Sequence, residues 1–195
     1  ILGDKNINSK RKILLIGPKP PPVSGYANVV EALANHLDSE GGQVMHISTI
    51  PSFLARYYPS NIWRLFRFLF LIMKAFLILL LFPSYKKIYL NVNGGIALIF
   101  DICISVFAVF FSKKITLHHN SCSYLNKKSK LFNLLTKITN NGKAIHVVNC
   151  ESMKQKLLSS YGVKENKINI ISNISILSKR NRNNGYKEFK EKISK

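Results

Sequence analysis

The chain has 195 residues and carries 29 Lys and Arg against 9 Asp and Glu, which gives a formal net charge of +20. Hydrophobic residues make up 47% of the chain, too many for a disordered polycation, and the length suits one domain with its own core. The three cysteines are widely spaced and form no C-x-x-C pair, so the sequence predicts neither a disulfide framework nor a cysteine-based zinc site.

The positive charge is concentrated between residues 41 and 150, where 13 basic residues stand against a single acid, Asp101. Residues 176–195 add seven basic and two acidic residues. A surface of this kind attracts partners that carry phosphate, which include nucleic acids, anionic lipids and phosphorylated substrates. Abundant Lys, Ile and Asn are also typical of an AT-rich genome, so composition alone does not select one of these partners.

Short apolar runs alternate with amphipathic runs along the chain, a pattern typical of an open parallel α/β sheet. The predicted strands are residues 12–17, 43–50, 87–92, 114–118, 144–149 and 168–172. The predicted helices are residues 26–37, 62–82, 96–111, 127–139 and 151–161. Gly162 is predicted to end the last helix, and the 96–111 helix is predicted to be buried although it contains Asp101.

The fold class that follows is a Rossmann-like parallel sheet with helices on both faces and right-handed crossovers. We expect a polar N-terminal extension over residues 1–11 and one domain over residues 12–175. Residues 176–195 are predicted to be a basic linker or tail.

Residues 62–82 are almost entirely apolar, yet Arg64, Arg67 and Lys74 lie on one stripe of the predicted helix. Each cation near the centre of a bilayer would cost roughly 2.5–3.5 kcal/mol, which argues against a membrane span. The pattern favours a basic amphipathic helix on an anionic membrane surface, with Trp63 and the three cations among the headgroups. A purely internal helix is the main alternative.

The Pro-rich loop that follows the first strand ends in Ser24 and Gly25, at the start of the next helix, with Tyr26 beside them. A helix start presents backbone N–H groups and a positive dipole end to a phosphate or sugar oxygen. The loop matches neither G-x-G-x-x-G nor the P-loop pattern, so it does not predict ordinary dinucleotide or nucleoside triphosphate binding. A stiff turn without a ligand is the alternative.

The segment TLHHNSCSY places His118, His119, Asn120 and Ser121 at the carboxyl end of a strand, where this fold binds ligands. Side chains alternate along a strand, so at most one of the two histidines points into the site. A histidine there can orient a hydroxyl or take its proton near neutral pH, although lone histidines are often structural. No acidic or cysteine partner is spaced for a metal, and we expect neither a metal nor a cofactor.

The third polar segment, NCES, follows another predicted strand, and Asn149 is predicted to cap the next helix with Glu151 in its first turn. The chain has no Ser-His-Asp spacing, no carboxylate pair and no H-E-x-x-H motif. It also lacks a helix-turn-helix or an aromatic RNA-binding motif, so we expect no nucleic-acid partner.

Taken together, these segments resemble the amino-terminal domain of GT-B-fold glycosyltransferases of family four. The resemblance covers roughly residues 12–173 and depends on the order and spacing of three segments. They are KILLIGPKPPPVSGYANVVEALANHL, KIYLNVNGGIALIFDICISVFAVFFSKKITLHHNSCSY and AIHVVNCESMKQKLLSSYGVKENKINIISNIS. In the family, a strand ending in histidine and a later Tyr-Gly, Lys-Ile-x-Val-Ile-x-Asn run occupy the corresponding places.

The resemblance implies roles for residues that match the family pattern. Ser24 and Gly25 match the loop that approaches the donor phosphate and the acceptor, although the family often has Gly-Gly there. His118 or His119 matches the histidine that contacts the transferred sugar or the acceptor, and in another register this position falls on Asn120.

The activity implied is that of a retaining glycosyltransferase, with this chain as its acceptor-side domain. Such an enzyme moves a sugar from a nucleotide-diphosphate sugar to a lipid-linked or saccharide acceptor of a bacterial surface polysaccharide or glycolipid. The family carries most donor contacts in a second domain, so we expect a chain that ends at Lys195 to be inactive alone. We expect it on the cytoplasmic, inner face of the plasma membrane. The alternative is a non-catalytic membrane-docking subunit that recruits a separate donor-binding chain.

Overall fold

The structure is a computed structural model that describes residues 12–21, 23–39, 41–49, 61–140 and 142–173, without the side chains of residues 61–65. The predicted extension over residues 1–11 and the predicted tail over residues 176–195 lie outside the described residues.

The described residues form six strands and six α-helices. The strands are β1 (Lys12–Gly17), β2 (Gln43–Ser48), β3 (Lys87–Val92), β4 (Lys114–His119), β5 (Ala144–Val148) and β6 (Ile168–Ile170). The helices are α1 (Gly25–Ser39), α2 (Asn61–Leu81), α3 (Leu98–Phe110), α4 (Ser123–Asn126), α5 (Lys130–Asn140) and α6 (Glu151–Tyr161). Every predicted strand and helix is therefore confirmed, with shifts of at most three residues at the ends.

Two helix ends show why the boundaries lie where they do. Gly162 ends α6 in a left-handed conformation with φ of 63°, which glycine adopts without steric cost. The helix predicted from residue 127 begins at Lys130 instead, because the Ser129 hydroxyl accepts the N–H of Phe132 at 3.3 Å and caps the first turn. The short helix α4 fills the residues before it and was not predicted.

All six strands are parallel and lie in the order β2-β1-β3-β4-β5-β6. The chain runs outward from β1 to β2, then returns past β1 to β3 and continues in the opposite direction. The order reverses between β1 and β3, which is the topological switch point of a doubly wound sheet. The Rossmann-like α/β class predicted from the sequence is confirmed.

The two faces of the sheet carry different helices. α1 packs against β1 and β2, whereas α2, α3 and α5 stack against one another on the other face. This division follows from right-handed crossovers, since only the first crossover runs toward β2. The larger core lies under α2, α3 and α5, where alternate strand residues such as Leu14, Leu90 and Leu117 have no exposed surface.

Helix α2 is apolar on both sides but buries only one of them. Leu71, Ala75 and Leu79 recur every four residues on the buried side, and the Phe76 ring lies 5.1 Å from the Phe107 ring of α3. The opposite side exposes a row of large apolar side chains. Among the described residues, no helix combines the length and the hydropathy that crossing a bilayer would require.

The cations predicted to form one stripe on α2 differ in their surroundings. Arg67 turns toward the sheet, where its Nη2 donates to the Thr49 carbonyl oxygen at 2.9 Å. Burial lowers the pKa of this guanidinium and leaves it only half-exposed. Lys74 is exposed, while the side chains of Trp63 and Arg64 lie outside the described residues. Arg67 thus differs from Lys74 in that one of its guanidinium nitrogens is hydrogen-bonded within the protein.

Candidate functional site

Gly17, the last residue of β1, lies close to β3 and α1 at the switch point because it has no side chain. A Cβ built on Gly17 would lie 3.1 Å from the Cβ of Asn91 and 3.3 Å from a methyl group of Val30. Contacts this short would require Asn91 or Val30 to shift by a few tenths of an ångström, so α1, β1 and β3 approach one another closely here. Polar residues after β1, β3, β4 and β5 consequently border one region at the carboxyl edge of the sheet.

The first part of this region is the start of α1. The Ser24 hydroxyl accepts the N–H of Ala27 at 3.1 Å and so caps the helix. Nothing lies within 4 Å of a Cβ built on Gly25, and the residues from Ser24 to Tyr26 are exposed. The Asn28 N–H donates to the Ser24 carbonyl oxygen at 3.0 Å, which leaves the N–H groups of Gly25 and Tyr26 as those of the first turn that precede any intrahelical hydrogen bond.

The second part is the loop after β3, which Asp101 of α3 holds in place. Its carboxylate oxygens accept the backbone N–H of Asn93 at 2.7 Å and the Asn93 side-chain amide at 2.8 Å. A Cβ on Gly94 would lie 2.8 Å from the Ser123 hydroxyl and 3.2 Å from the Ser121 hydroxyl. The loops after β3 and β4 therefore form one continuous polar surface.

Asp101 has no exposed surface, and burial raises its pKa to about 7 although the hydrogen bonds from Asn93 lower it. In the folded protein this carboxyl group therefore keeps its proton between about pH 4 and pH 7, where the unfolded chain has released it. Asp101 therefore stabilises the fold most at low pH, and its contribution to the free energy of unfolding is lost as the pH rises through 7.

We expect Asp101→Asn to remove that pH dependence, since an amide does not titrate. The free energy of unfolding of the variant relative to wild type should rise between pH 4.5 and pH 7.5, by about 4 kcal/mol at most. Urea unfolding followed by circular dichroism at several pH values measures the difference. A constant difference across this range would contradict the assignment.

The third part is a ladder of side-chain amides across the strand ends, with Asn120 at its centre. Asn120 donates to the Oδ1 of Asn91, and its own Oδ1 accepts from Asn173 at 2.9 Å and from Asn149 at 3.4 Å. The Oδ1 of Asn173 is buried and has no protein partner among the described residues. The ladder ties β3, β4 and the segments after β5 and β6 together, and Asn149 and Asn173 remain half-exposed.

His118 is buried beneath this ladder and contacts Asn149. Its Nδ1 accepts from the Tyr89 hydroxyl, and its Nε2 lies 3.3 Å from the Oδ1 of Asn149, to which it donates as a neutral imidazole. Burial lowers the pKa of His118, while the hydrogen bond to Asn149 raises it. The ring has no exposed surface, so His118 positions the Asn149 amide and presents no free nitrogen to a ligand.

His119 points to the opposite face of the sheet, as the alternation of strand side chains requires. Its ring nitrogens lie 2.9 Å from the Tyr124 hydroxyl and 2.9 Å from Nδ1 of His146, on which it stacks with an interplanar angle of 5°. Burial, and then the neighbouring histidines, lower the pKa of His119 well below its usual range. His119 is enclosed by the core and has no surface to offer a ligand.

The residues singled out from the sequence thus divide into two groups. Ser24, Gly25, Tyr26 and Ser121 lie at the carboxyl edge with exposed or half-exposed surface. His118, His119 and Asn120 are buried beneath them.

Sequence reasoning missed Tyr89, Asn91, Asn173 and the pairing of Asn93 with Asp101. The capping role predicted for Asn149 is wrong, because Cys150 precedes the first turn of α6 and caps it with no side-chain hydrogen bond. The Asn149 amide is engaged by β4 instead. The one signal in the sequence was Asp101, an isolated acid in an apolar helix, which indicates a buried carboxyl group with a hydrogen-bond partner such as Asn93.

Fold and site together define a Rossmann-like parallel α/β domain with polar side chains gathered at its switch point. The chain matches no protein-family model and no curated protein sequence. Among solved structures it is similar to HepE of Anabaena in complex with UDP, with a TM-score of 0.49, 13% identity, and coverage of 83% of this chain and 44% of that chain. The complex of the same protein with UDP and glucose gives a TM-score of 0.48, 14% identity, and coverage of 84% and 44%. The chain spans less than half the length of these structures.

Proposed function

We propose that the chain is the acceptor-side domain of a retaining glycosyltransferase. The reaction is transfer of a sugar from a nucleotide-diphosphate sugar to an acceptor hydroxyl of a surface polysaccharide or glycolipid. The observation that carries the proposal is the concentration of amides, hydroxyls and helix N–H groups at the switch point, where doubly wound sheets bind ligands. The resemblance of residues 12–173 to family four supports the same function.

The chemistry of the edge suits a ligand rich in hydroxyl groups. A sugar hydroxyl both donates and accepts, and the half-exposed Asn173 carries an Oδ1 acceptor that has no protein partner among the described residues. Ser24, Gly25 and Tyr26 contact the ligand from α1, and Ser121 contacts it from the loop after β4. In this proposal His118 and Asn120 are positioning residues that hold the amides, and His119 stabilises the core.

Donor binding requires a second domain in this proposal, as in the family that the sequence resembles. A transfer assay should therefore show no turnover by these 195 residues and turnover once the donor-binding half is supplied. If the donor-binding half is a separate polypeptide that carries the whole catalytic site, the chain is the non-catalytic docking subunit instead. Activity gained when the chain is extended to include the donor-binding half would indicate one enzyme. Activity gained only when the chain is mixed with a separate donor-binding chain would indicate the docking subunit.

Ligand binding at the carboxyl edge is tested by titrating the ¹⁵N-labelled chain with UDP-glucose, UDP and short saccharides. We expect shifts at Gly25, Gly94 and Ser121 and at the side-chain amides of the ladder. Loss of one hydroxyl in Ser121→Ala should weaken binding about fivefold, the value of one hydrogen bond. Ser159→Ala, on exposed α6, is the matched control and should bind as wild type does. Absence of shifts at this edge up to roughly 10 mM ligand, a weak affinity even for fragments, would refute the proposed site.

The acceptor is proposed to be lipid-linked, which places the chain on the anionic inner face of the plasma membrane. Support comes from the excess of 13 basic residues over one acid between residues 41 and 150 and from the exposed apolar side of α2. Trp63 is the single tryptophan of the chain, so its fluorescence reports directly on this contact. Brominated lipids in anionic vesicles should quench it if Trp63 lies among the headgroups.

A further inference from the structure

Many of the exposed large apolar side chains among the described residues lie on α2, α3 and the turn before α3. Ten of these side chains line the surface that we call the apolar face. They are Phe66, Leu69, Phe70, Met73, Leu77, Leu81, Ile96, Ile99, Val106 and Phe110, each at least 43% exposed. So many exposed apolar side chains on two adjacent helices are typical of an interaction surface.

The apolar face runs the length of the domain and reaches the candidate site. α2 alone is about 31 Å long at 1.5 Å per residue, and α3 lies beside it. Ile96, which is 81% exposed, directly follows Gly94 and Gly95 of the loop that Asp101 holds. The apolar face thus begins at Ile96, one residue after Gly95 of the polar loop.

Charge distinguishes among the partners that such a face accepts. α2 and α3 contain one acid, Asp101, which is buried and hydrogen-bonded to Asn93. Lys74 on α2 and Lys86 just beyond it are exposed, and no ion pair joins either of them to an acid among the described residues. Two copies of a face that carries only cations would repel, whereas an anionic lipid surface attracts the cations and accepts the apolar groups.

We propose that the apolar face of α2 and α3 lies in the headgroup region of an anionic bilayer, so that the candidate site opens at the membrane surface. An acceptor anchored in the bilayer then reaches the loop after β3 by lateral movement past Ile96. This inference rests on the membrane contact proposed above and assigns it to specific side chains. Arg67 contributes less than the exposed Lys74 in this proposal, since one nitrogen of its half-exposed guanidinium donates to the Thr49 carbonyl oxygen.

Vesicle sedimentation tests the apolar contact. The chain should bind vesicles containing 30% phosphatidylglycerol in about 0.1 M NaCl, where the screening length is roughly 10 Å, and be released in about 0.5 M NaCl, where it is roughly 4 Å. Leu81→Ser with Ile96→Ser, at the two ends of the face, should weaken binding about tenfold. The matched control is Leu134→Ser with Ile170→Ser, at side chains that are 47% and 44% exposed elsewhere, and it should bind like wild type.

The charge contribution is tested in the same assay. Lys74→Glu with Lys86→Glu should weaken binding by more than about thirtyfold, because loss of each lysine charge near an anionic surface costs roughly fivefold and each glutamate adds repulsion. Lys127→Glu with Lys130→Glu changes the net charge equally at exposed positions outside the face. Equal loss in both pairs would mean that only net charge matters and would overturn the assignment to this face.

The lateral opening is tested with a fluorophore on Cys122, which is exposed next to Ser121. With Cys103→Ala and Cys150→Ser as background, headgroup-labelled lipid quenchers should quench this label. A label on Gln43→Cys with Cys122→Ser added, at the exposed start of β2, should remain unquenched. Equal quenching of both labels, or of neither while the chain is bound, would contradict the orientation.

The remaining outcomes separate the inference from the proposed function. If wild type ignores anionic vesicles, this inference and the membrane contact both fall, while sugar binding at the carboxyl edge is judged by its own titration. If light scattering shows a dimer that Leu81→Ser with Ile96→Ser dissociates, the face is an interface between copies. If duplex DNA binds as tightly as vesicles and neither serine substitution weakens it, the partner is a nucleic acid. Each of these results overturns the inference.

Discussion

Replacement of Asn120 by alanine is expected to lower the free energy of unfolding by about 3 kcal/mol and to abolish ligand binding at the carboxyl edge. The substitution removes one buried amide that donates to Asn91 and accepts from Asn149 and Asn173. Buried polar groups that lose a partner each cost about 1–3 kcal/mol, so the loss exceeds that of a single hydrogen bond. Urea unfolding and the saccharide titration measure the two effects.

The matched control is Asn126→Ala on α4. Asn126 is exposed and accepts one hydrogen bond, from Lys156 at 2.7 Å, so its loss should change stability by less than about 0.5 kcal/mol. Similar stability for the two variants would show that the ladder is not a cooperative network. A destabilised Asn120→Ala that still bound saccharide normally would instead separate the ladder from the site.

Acidification from pH 6.5 to pH 4 is expected to cost about 3 kcal/mol of stability through His146 alone. Burial lowers the pKa of His146 to about 4, so the unfolded chain binds a proton over this range and the folded protein does not. The stabilisation is present above pH 6.5 and is lost as the pH falls. His119 acts in the same direction, whereas Asp101 acts in the opposite one.

The double variant His119→Phe, His146→Phe should lose most of this acid sensitivity. It replaces both partners of the 2.9 Å contact with rings that do not titrate, and the Tyr124 hydroxyl loses its partner on His119 at a cost that does not depend on pH in this range. The free energy of unfolding at pH 8 measures the cost of repacking. Its slope with pH between pH 6.5 and pH 4 measures the lost titration of His119 and His146. Parallel pH profiles for wild type and variant would disprove the role of the histidine pair.

The order of strands and helices could be predicted because local patterns carry it. KILLIG is a continuous β-rich run that ends in Gly-Pro, and the strand it forms is buried along almost its whole length. The 96–111 run shows the limit of this reasoning, since hydropathy predicts a buried helix while α3 leaves Ile99, Val106 and Phe110 exposed. Burial depends on which elements pack beside a helix, and a local pattern does not contain that information.

The sequence predicted that these polar residues lie at strand ends, but it did not predict their contacts. Alternation along a strand was enough to send His118 and His119 to opposite faces. The partners that bury them, Tyr89 and His146, are 29 and 27 residues away and meet them only through the register between strands. Periodicity within one strand does not determine register with another. For that reason residues expected to touch a ligand proved to lie beneath the surface.

The amide ladder is built entirely of groups without charge. Salt weakens interactions between exposed ions and leaves hydrogen bonds among neutral amides almost untouched. The formal charge of +20, in contrast, acts on any anionic surface in a strongly salt-dependent way. We therefore expect ionic strength to change binding to anionic membranes strongly and ligand binding at the carboxyl edge little. The position of the protein in the cell and its choice of ligand would then depend on different conditions.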